Sequence, residues 1–304
     1  MLTHGCALSN LPLFVAAAEG IFERHGLEVT LQPIDDLSET GELMRSGESD
    51  LGTAAFPQAL IDAEGPHAPV VVAGSGLRGL AVLVRGTDVV PRPGMRVGTF
   101  RGDPMEVLAH DWVQAHGIDW SAVTVEHLGS IQDALDAWAD GRVDALSLAE
   151  PYVGRLVAGG ATVATDGTDL WAEDYPDTVL VASRDLLERD PAAVRAAMAA
   201  MREAEDLIAR DRATAVAAAA SWYPGVPVDE LVAAVDRQPP RTDIRSLRRV
   251  ILDRWPSLQS LGLVDATAPA PDNAVDFSLL AASLAPVETA AATTPLERPV
   301  GEPV

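Results

Sequence analysis

The 304 residues carry 22 basic and 45 acidic side chains, a formal charge of −23, which argues against nucleic-acid backbones as partners because those need a basic footprint. All the basic residues are arginine, so without lysine no internal aldimine to a pyridoxal-type cofactor can form. The single cysteine, Cys6, excludes an intramolecular disulfide, and no apolar run approaches the roughly 18 residues of a membrane span.

In chain order, the spacing predicts a helical stretch over 11–24 ending at His25-Gly26-Leu27, a strand over 28–31, a second helical stretch ending at Gly47 and, after Asp50, a strand over 51–54. Strand-like runs at 70–73 and 80–84 lead into the turn-rich Pro91-Arg92-Pro93-Gly94. The pattern then repeats. A helical stretch over 104–115 ends at His116-Gly117-Ile118, a strand spans 123–127, a helix ends at Gly141, and Asp144 precedes a strand over 145–148. In both halves glycine and aspartate are three residues apart, and a proline, Pro57 or Pro151, follows seven residues later. Gly26, Gly47, Gly117 and Gly141 suit left-handed helix ends, and Pro12, Pro57, Pro104 and Pro151 suit first-turn positions. Further strands at 161–164 and 178–182, a long helix over 191–210, a stretch at 212–223 and a helix over 227–235 complete the pattern.

Strand–helix–strand alternation predicts an α/β fold of two similar lobes, each with parallel strands covered by helices on both faces. The runs 80–84 and 178–182 are the expected extended crossings between lobes. Lobe one is expected to span 1–88 and 177–260 and lobe two 89–176. Residues 261–282 form a C-terminal segment packing on lobe one, and 283–304, rich in Ala, Pro, Thr and Glu, a disordered tail.

Ligands of open α/β sheets bind beyond the carboxyl ends of the strands, which here selects four loops: 5–10, 53–58, 99–103 and 147–152. Ser9 and Asn10 are helix caps or ligand contacts. Thr53, Gln58 and Ser147 supply neutral hydrogen-bonding groups, while Phe56 and Tyr152 offer rings for stacking, Phe56 with a core role as the alternative. Arg101 offers a cation for an anion at a helix N-terminus. Asp103, ahead of Pro104, is a cap or a ligand group, and Glu150 a rim charge or a ligand group. Cys6 is read as a ligand contact in the first loop or as a small side chain with no chemistry; as the alternative, Cys6 and His4 lie on the same side if that stretch is extended, the arrangement a cysteine nucleophile would need. Trp112, Trp120 and Trp138 read as packing residues and His110 as a surface residue. No lysine-bearing phosphate loop, CxxC or HExxH motif occurs, and the six histidines lack metal-ligand spacing, so no cofactor or metal is expected.

The stretch from Asn10-Leu11-Pro12-Leu13-Phe14 to His25-Gly26-Leu27-Glu28-Val29 resembles the opening of the NMT1/THI5-like, sulfonate/taurine/nitrate-type solute-binding proteins. Arg45-Ser46-Gly47-Glu48-Ser49-Asp50-Leu51-Gly52 is similar to that family's helix-to-strand signature. Gly94-Met95-Arg96-Val97-Gly98-Thr99 and Asp140-Gly141-Arg142-Val143-Asp144-Ala145-Leu146 through Glu150-Pro151-Tyr152-Val153 are similar to its second-lobe counterparts. The resemblance spans roughly residues 1–225 and implies two Rossmann-like lobes joined by a two-strand hinge, the periplasmic binding protein type 2 fold. It further implies capture of a small anionic or heteroaromatic molecule by lobe closure, and an ABC permease as partner. Aromatic sulfinate desulfinases, enzymes on a related fold, carry a catalytic cysteine in the first loop ahead of an asparagine, and Cys6-Ala7-Leu8-Ser9-Asn10 is similar in spacing. A Cys6-dependent lyase or hydrolase is therefore the alternative, with a cytosolic ligand sensor as a third reading. As it stands the sequence opens without the basic start and apolar stretch of an export signal, which implies the cytoplasm, or an extracytoplasmic site if such a segment lies upstream.

Overall fold

The computed structural model describes residues 1–34, 39–63, 65 and 67–284. Ten strands form two five-stranded sheets: β1 (Leu2–His4), β2 (Leu31–Pro33), β3 (Leu51–Ala55), β4 (Pro69–Gly74), β5 (Leu80–Val84), β6 (Arg96–Thr99), β7 (Thr124–His127), β8 (Ala145–Ala149), β9 (Thr162–Thr165) and β10 (Thr178–Ser183). The first sheet runs β2-β1-β3-β10-β4 and the second β7-β6-β8-β5-β9. The second order reproduces the first strand for strand, so the repeat in the sequence is a repeat of topology. Central strands β3, β5 and β10 are apolar-rich and buried throughout, as is edge strand β4, whose outer side the chain near Val275 covers, while edge strands β2, β7 and β9 are partly exposed, as sheets covered by helices require.

Three expectations are corrected here. Each sheet is mixed, because β10 runs antiparallel to β3 and β4, and β5 antiparallel to β8 and β9. The runs 80–84 and 178–182 are therefore sheet strands, and the crossings are the segments ahead of them. Ser75 N–H donates to the Thr178 carbonyl (3.2 Å), Asp177 N–H to that of Gly76 (3.2 Å) and Arg78 N–H to that of Tyr175 (2.9 Å). These bonds join two extended segments into a hinge. A third segment lies beside it: Leu77 N–H donates to the Pro239 carbonyl (2.9 Å) and Arg241 N–H to that of Ser75 (3.0 Å). The lobe boundary expected at 88/89 is displaced by the same fact, since β5 already belongs to the second sheet and the chain changes lobe at 75–79.

Local signals are mostly realised as read. Gly26, Gly47, Gly117 and Gly141 have φ of +76°, +80°, +72° and +69°, the left-handed region where a Cβ is unfavourable. The helical stretch 11–24 is interrupted at Gly20 into Leu11–Ala18 and Ile21–Arg24. The strand expected at 28–31 forms instead at Leu31–Pro33, in register with β1 (Leu2 opposite Leu31, His4 opposite Pro33), because pairing rather than propensity sets strand ends. Helix Pro191–Arg210 buries Val194, Ala197, Met198, Met201, Ala204 and Ile208, the spacing of one apolar helical face.

Each lobe has its own apolar core, and a third core joins them. It brings Ala54, Phe56, Leu60, Val71 and Val179 of lobe one together with Val107 of lobe two and with Ile244, Ile251, Trp255 and Leu258; the stretch from 244 onward, which joins the lobes, is here called the C-terminal segment. Farther on, Asp276 N–H donates to the Val71 carbonyl (2.9 Å), and Phe277 and Leu280 pack against the lobe-one core. The tail expected from 283 overlaps the helix Ser278–Leu284 at its start, and 285–304 lie outside the described residues. Among the described residues no helix is long and apolar enough to cross a membrane.

Candidate functional site

The four loops selected from the sequence follow β1, β3, β6 and β8, and they approach one another across the hinge. A Cβ on Gly102 of lobe two would lie 3.3 Å from Gln58 Oε1 of lobe one. Burial pushes the phenols of Tyr152 and Tyr223 up, against the lowering effect of Arg155 at Tyr152, and Cys6 of the first loop is near enough to both rings to add to the rise. Tyr152 is half-buried and packs against both lobe cores.

The polar residues separate by role. Asp103 is the cap of helix Pro104–Ala115, accepting from Met105 N–H at 3.0 Å. Ser9 is buried with Oγ 2.6 Å from Thr178 Oγ1, and it also hydrogen-bonds the Asp177 carboxyl, so it fastens the first loop to the hinge. Asn10 is buried and donates from Nδ2 to the Gly5 carbonyl at 2.8 Å. Thr53 and Ser147 occupy equivalent places in β3 and β8, six residues after Gly47 and Gly141. Both are buried, and the hydroxyl of each lacks a protein partner. Native interiors rarely leave such groups unmet without a water or ligand. Gln58 donates to Asp62 Oδ2 (2.9 Å), whereas Arg101 is exposed and in no ion pair among the described residues.

Four readings change. Phe56 is buried edge-on to Trp171 (ring centroids 5.9 Å apart) in the seam between lobes, so its ring is committed to packing. Glu150 is buried rather than on the rim, ion-paired to the half-exposed Arg237 and accepting from Gly154 N–H. With Arg155–Glu230 at 2.9 Å, this pair ties the segment after β8 to helix Val228–Ala234 and its continuation. Arg237→Ala is expected to lower stability by about 1–2 kcal/mol, since it leaves a buried carboxylate short of a partner while solvent screens the exposed guanidinium. A urea midpoint unchanged from wild type would contradict that estimate.

Third, His4 and Cys6 diverge. The His4 ring is buried edge-on to Phe14 (4.9 Å), and desolvation lowers its pKa against the opposing effect of the Gly5 carbonyl, while Cys6 is exposed. The ring that would have activated the thiol is a core residue. His110 is likewise buried, not on the surface, with Nε2 2.9 Å from Ser260 Oγ and Nδ1 2.9 Å from Asp111 Oδ1. This row of hydroxyl, imidazole and carboxylate is structural. Ser260 ends its helix, where carbonyls rather than oxyanion-binding N–H groups emerge. Asp111 also accepts from Arg254, Ser257 and Trp171 (2.7–2.8 Å), which pins the C-terminal segment to lobe two.

Sequence reasoning missed Asp177 and Gln238. Asp177 lies in the hinge, buried, accepting from Gln238 Nε2 at 2.8 Å, and desolvation raises its pKa to about 6 despite the hydrogen bonds from Ser9 and Gln238. Its signal was a carboxylate set directly before an apolar-rich strand. Gln238 is distant in sequence and carried no signal. Among the described residues no group of three or more His, Cys, Asp or Glu is placed to hold a metal.

Solved structures share the whole architecture. The periplasmic aliphatic sulphonate binding protein SsuA from Escherichia coli superposes with a TM-score of 0.77 at 19% identity, covering 100% of this chain and 97% of its own. The alkanesulfonate-binding protein SsuA from Xanthomonas axonopodis pv. citri, bound to MOPS, gives 0.73 at 20% identity, covering 90% and 96%. The periplasmic nitrate-binding protein NrtA from Synechocystis PCC 6803 gives 0.78 at 15% identity, covering 95% and 89%. At these identities the likeness establishes the two-lobed periplasmic binding protein fold. Among curated proteins no sequence matches this chain. The repeated sheets, the paired hinge crossings and a match over residues 6–222 together place the chain in the NMT1-like family.

Proposed function

We propose that this protein is an ABC-importer-type solute-binding protein that captures a small molecule in the cleft between its lobes and presents it to a membrane permease. The observation that carries the reading is the pair of buried hydroxyls without protein partners, Thr53 and Ser147, at equivalent strand positions of the two lobes. A ligand touching both lobes favours their closure because it interacts better with that arrangement than with the open one. The NMT1-like family membership and the sulphonate- and nitrate-binding neighbours support the same role. An extracytoplasmic location follows from this reading, in line with the periplasmic neighbours.

The test is calorimetric titration of the full chain with small sulfonates, nitrate and nitrogen heterocycles, paired with small-angle scattering. Binding of one solute with a reduced radius of gyration is expected. Thr53→Val and Ser147→Ala are each expected to weaken that binding about 3–10-fold, the scale of one neutral hydrogen bond. No heat with any solute and no change in scattering would refute the proposal.

A further inference from the structure

The two faces of the second sheet meet lobe one in different ways. The step from β6 to β7 runs one way across that sheet, and the steps from β7 to β8 and from β8 to β9 run the other way. Each step joins parallel strands, since β6 is parallel to β7 and β8, while β5 is antiparallel to β8 and β9. Right-handed crossovers therefore place helix Pro104–Ala115 on one face and helices Ile131–Ala139 and Tyr152–Ala158 on the other. On the first face the lobes are sealed. Val107 lies in the third core with Phe56 and Leu60 of lobe one and with Ile251 and Leu258. One turn on, Asp111, its side chain 13% exposed, accepts from Arg254, Ser257 and Trp171, and Trp171 meets Phe56 edge-on. The second face is held by polar contacts nearer the surface. Arg155 meets Glu230 at 2.9 Å, with the side chains 35% and 39% exposed, and Leu231 beside Glu230 packs in the lobe-one core. The Glu150–Arg237 pair adjoins the hinge, because Gln238 bonds the Arg78 carbonyl and Leu77 the Pro239 carbonyl. Tyr152 lies half-buried between the two cores, close to Cys6 of the first loop.

The two flanks differ in what their separation costs. Parting the first exposes an apolar core to water and strips a mostly buried carboxylate of its donors. Parting the second exchanges a partly exposed ion pair for hydrated ions, and such pairs contribute little against water. Glu150 and Arg237, beside the hinge, are displaced least as the lobes turn about it. We infer that the cleft opens on one side only: lobe two swings away from helix Val228–Ala234 while the Asp111 side stays shut, and the Arg155–Glu230 pair is the latch of the entrance. The inference rests on the solute-capture reading above and adds to it a direction of opening and two gating residues. Tyr152 travels with the latch, since the Arg155 guanidinium lies 5.5 Å from its ring centre on the same helix. Swinging this helix outward therefore uncovers the first loop beside it.

Distances between paired spin labels on the full chain, in a Cys6→Ser background and with no solute added, test the inference. Val157→Cys with Val228→Cys spans the latched flank at exposed positions. Glu42→Cys with Gln114→Cys, also exposed, spans the sealed flank, where Met44 of the first helix lies in the third core. Arg155→Glu is expected to lengthen the 157–228 distance by roughly 2 Å or more, the scale of a domain rearrangement, and to leave the 42–114 distance unchanged. The charge-swapped Arg155→Glu/Glu230→Arg is expected to restore the original 157–228 distance, which a merely structural loss at Arg155 would not allow. Lengthening of the 42–114 distance, alone or equally, would overturn one-sided opening and leave solute capture standing. If neither distance moves, the latch is overturned, and the calorimetric titrations with sulfonates, nitrate and nitrogen heterocycles separate the two readings. Heat with one solute keeps capture, whereas none with any overturns capture as well.

Discussion

Asp177→Asn is expected to stabilise the fold by about 3 kcal/mol at pH 7 and above. Burial raises the Asp177 pKa from 3.8 to about 6 despite hydrogen bonds from Ser9 and Gln238, a difference worth about 3 kcal/mol at 1.36 kcal/mol per tenfold change in proton affinity. For an acid whose folded pKa is raised, the unfolded chain loses its proton first. Between about pH 4 and pH 6 the folded state binds more protons, so stability falls as pH rises, and the full penalty is present above 6. Asparagine can still accept from Gln238 and Ser9 but carries no charge to desolvate. Urea unfolding at a series of pH values reads the difference between the two proteins. It should be near zero below about pH 4, open through the window to pH 6 and remain constant above it. Other carboxylates, such as Asp144 held at about 2 by its hydrogen bonds to Arg96, act in both proteins and cancel in the difference. A pH-independent difference, or a variant less stable at neutral pH, would show that the carboxylate is not penalised by its burial. A destabilising charge kept in a hinge is the pattern expected where function rather than stability selects the residue.

Gly79→Ala is expected to destabilise by about 3 kcal/mol or more and to disturb the hinge specifically. Gly79 has φ +81°, and a Cβ there would lie 2.6–2.7 Å from Cβ, Cγ and Cδ of Gln238. The left-handed backbone costs alanine roughly 1–2 kcal/mol, and forcing the side chain against Gln238 adds about 1–3 kcal/mol. Displacing Gln238 also disturbs its bonds to Asp177 and to the Arg78 carbonyl. The double variant Gly79→Ala/Gln238→Gly separates the contributions, since alanine at 238 would keep the Cβ that lies 2.6 Å away. Adding Gly79→Ala to a Gln238→Gly background should cost only the backbone part, about 1–2 kcal/mol. Equal costs in both backgrounds would place the whole effect in the backbone.

The sequence carried the lobes well and the site unevenly. Gly47–Asp50–Pro57 and Gly141–Asp144–Pro151 are local punctuation, each set by the backbone needs of a helix end, a turn or a helix start, and they made the repeat visible before any pairing was known. Thr53 and Ser147 could be singled out from the sequence because they stand at the same offset, six residues, from Gly47 and Gly141. The sequence left Phe56 between stacking and core roles because its partner, Trp171, lies in the other lobe, and burial against that ring favours the core role. The alternative that pairs His4 with Cys6 is disfavoured because β1 ends on His4 and its ring packs against Phe14. Strand direction was misjudged too. Alternation of strand and helix marks a parallel sheet, but it is silent about the one strand that enters each sheet from the other lobe.

By itself, then, the sequence determined the α/β class, the duplicated lobes, the helix ends and the loops at the strand termini, because these depend on residues within a turn or two of one another. Tertiary structure alone decided that β5 and β10 run antiparallel in the opposite lobe's sheet, and that the C-terminal segment joins both lobes through Asp111. It also brought Asp177, Gln238 and Ser9 together at the hinge. Those residues are separated by 61 and 168 positions along the chain, and only the energy of burying them in one place, unreadable from local pattern, sets which meets which.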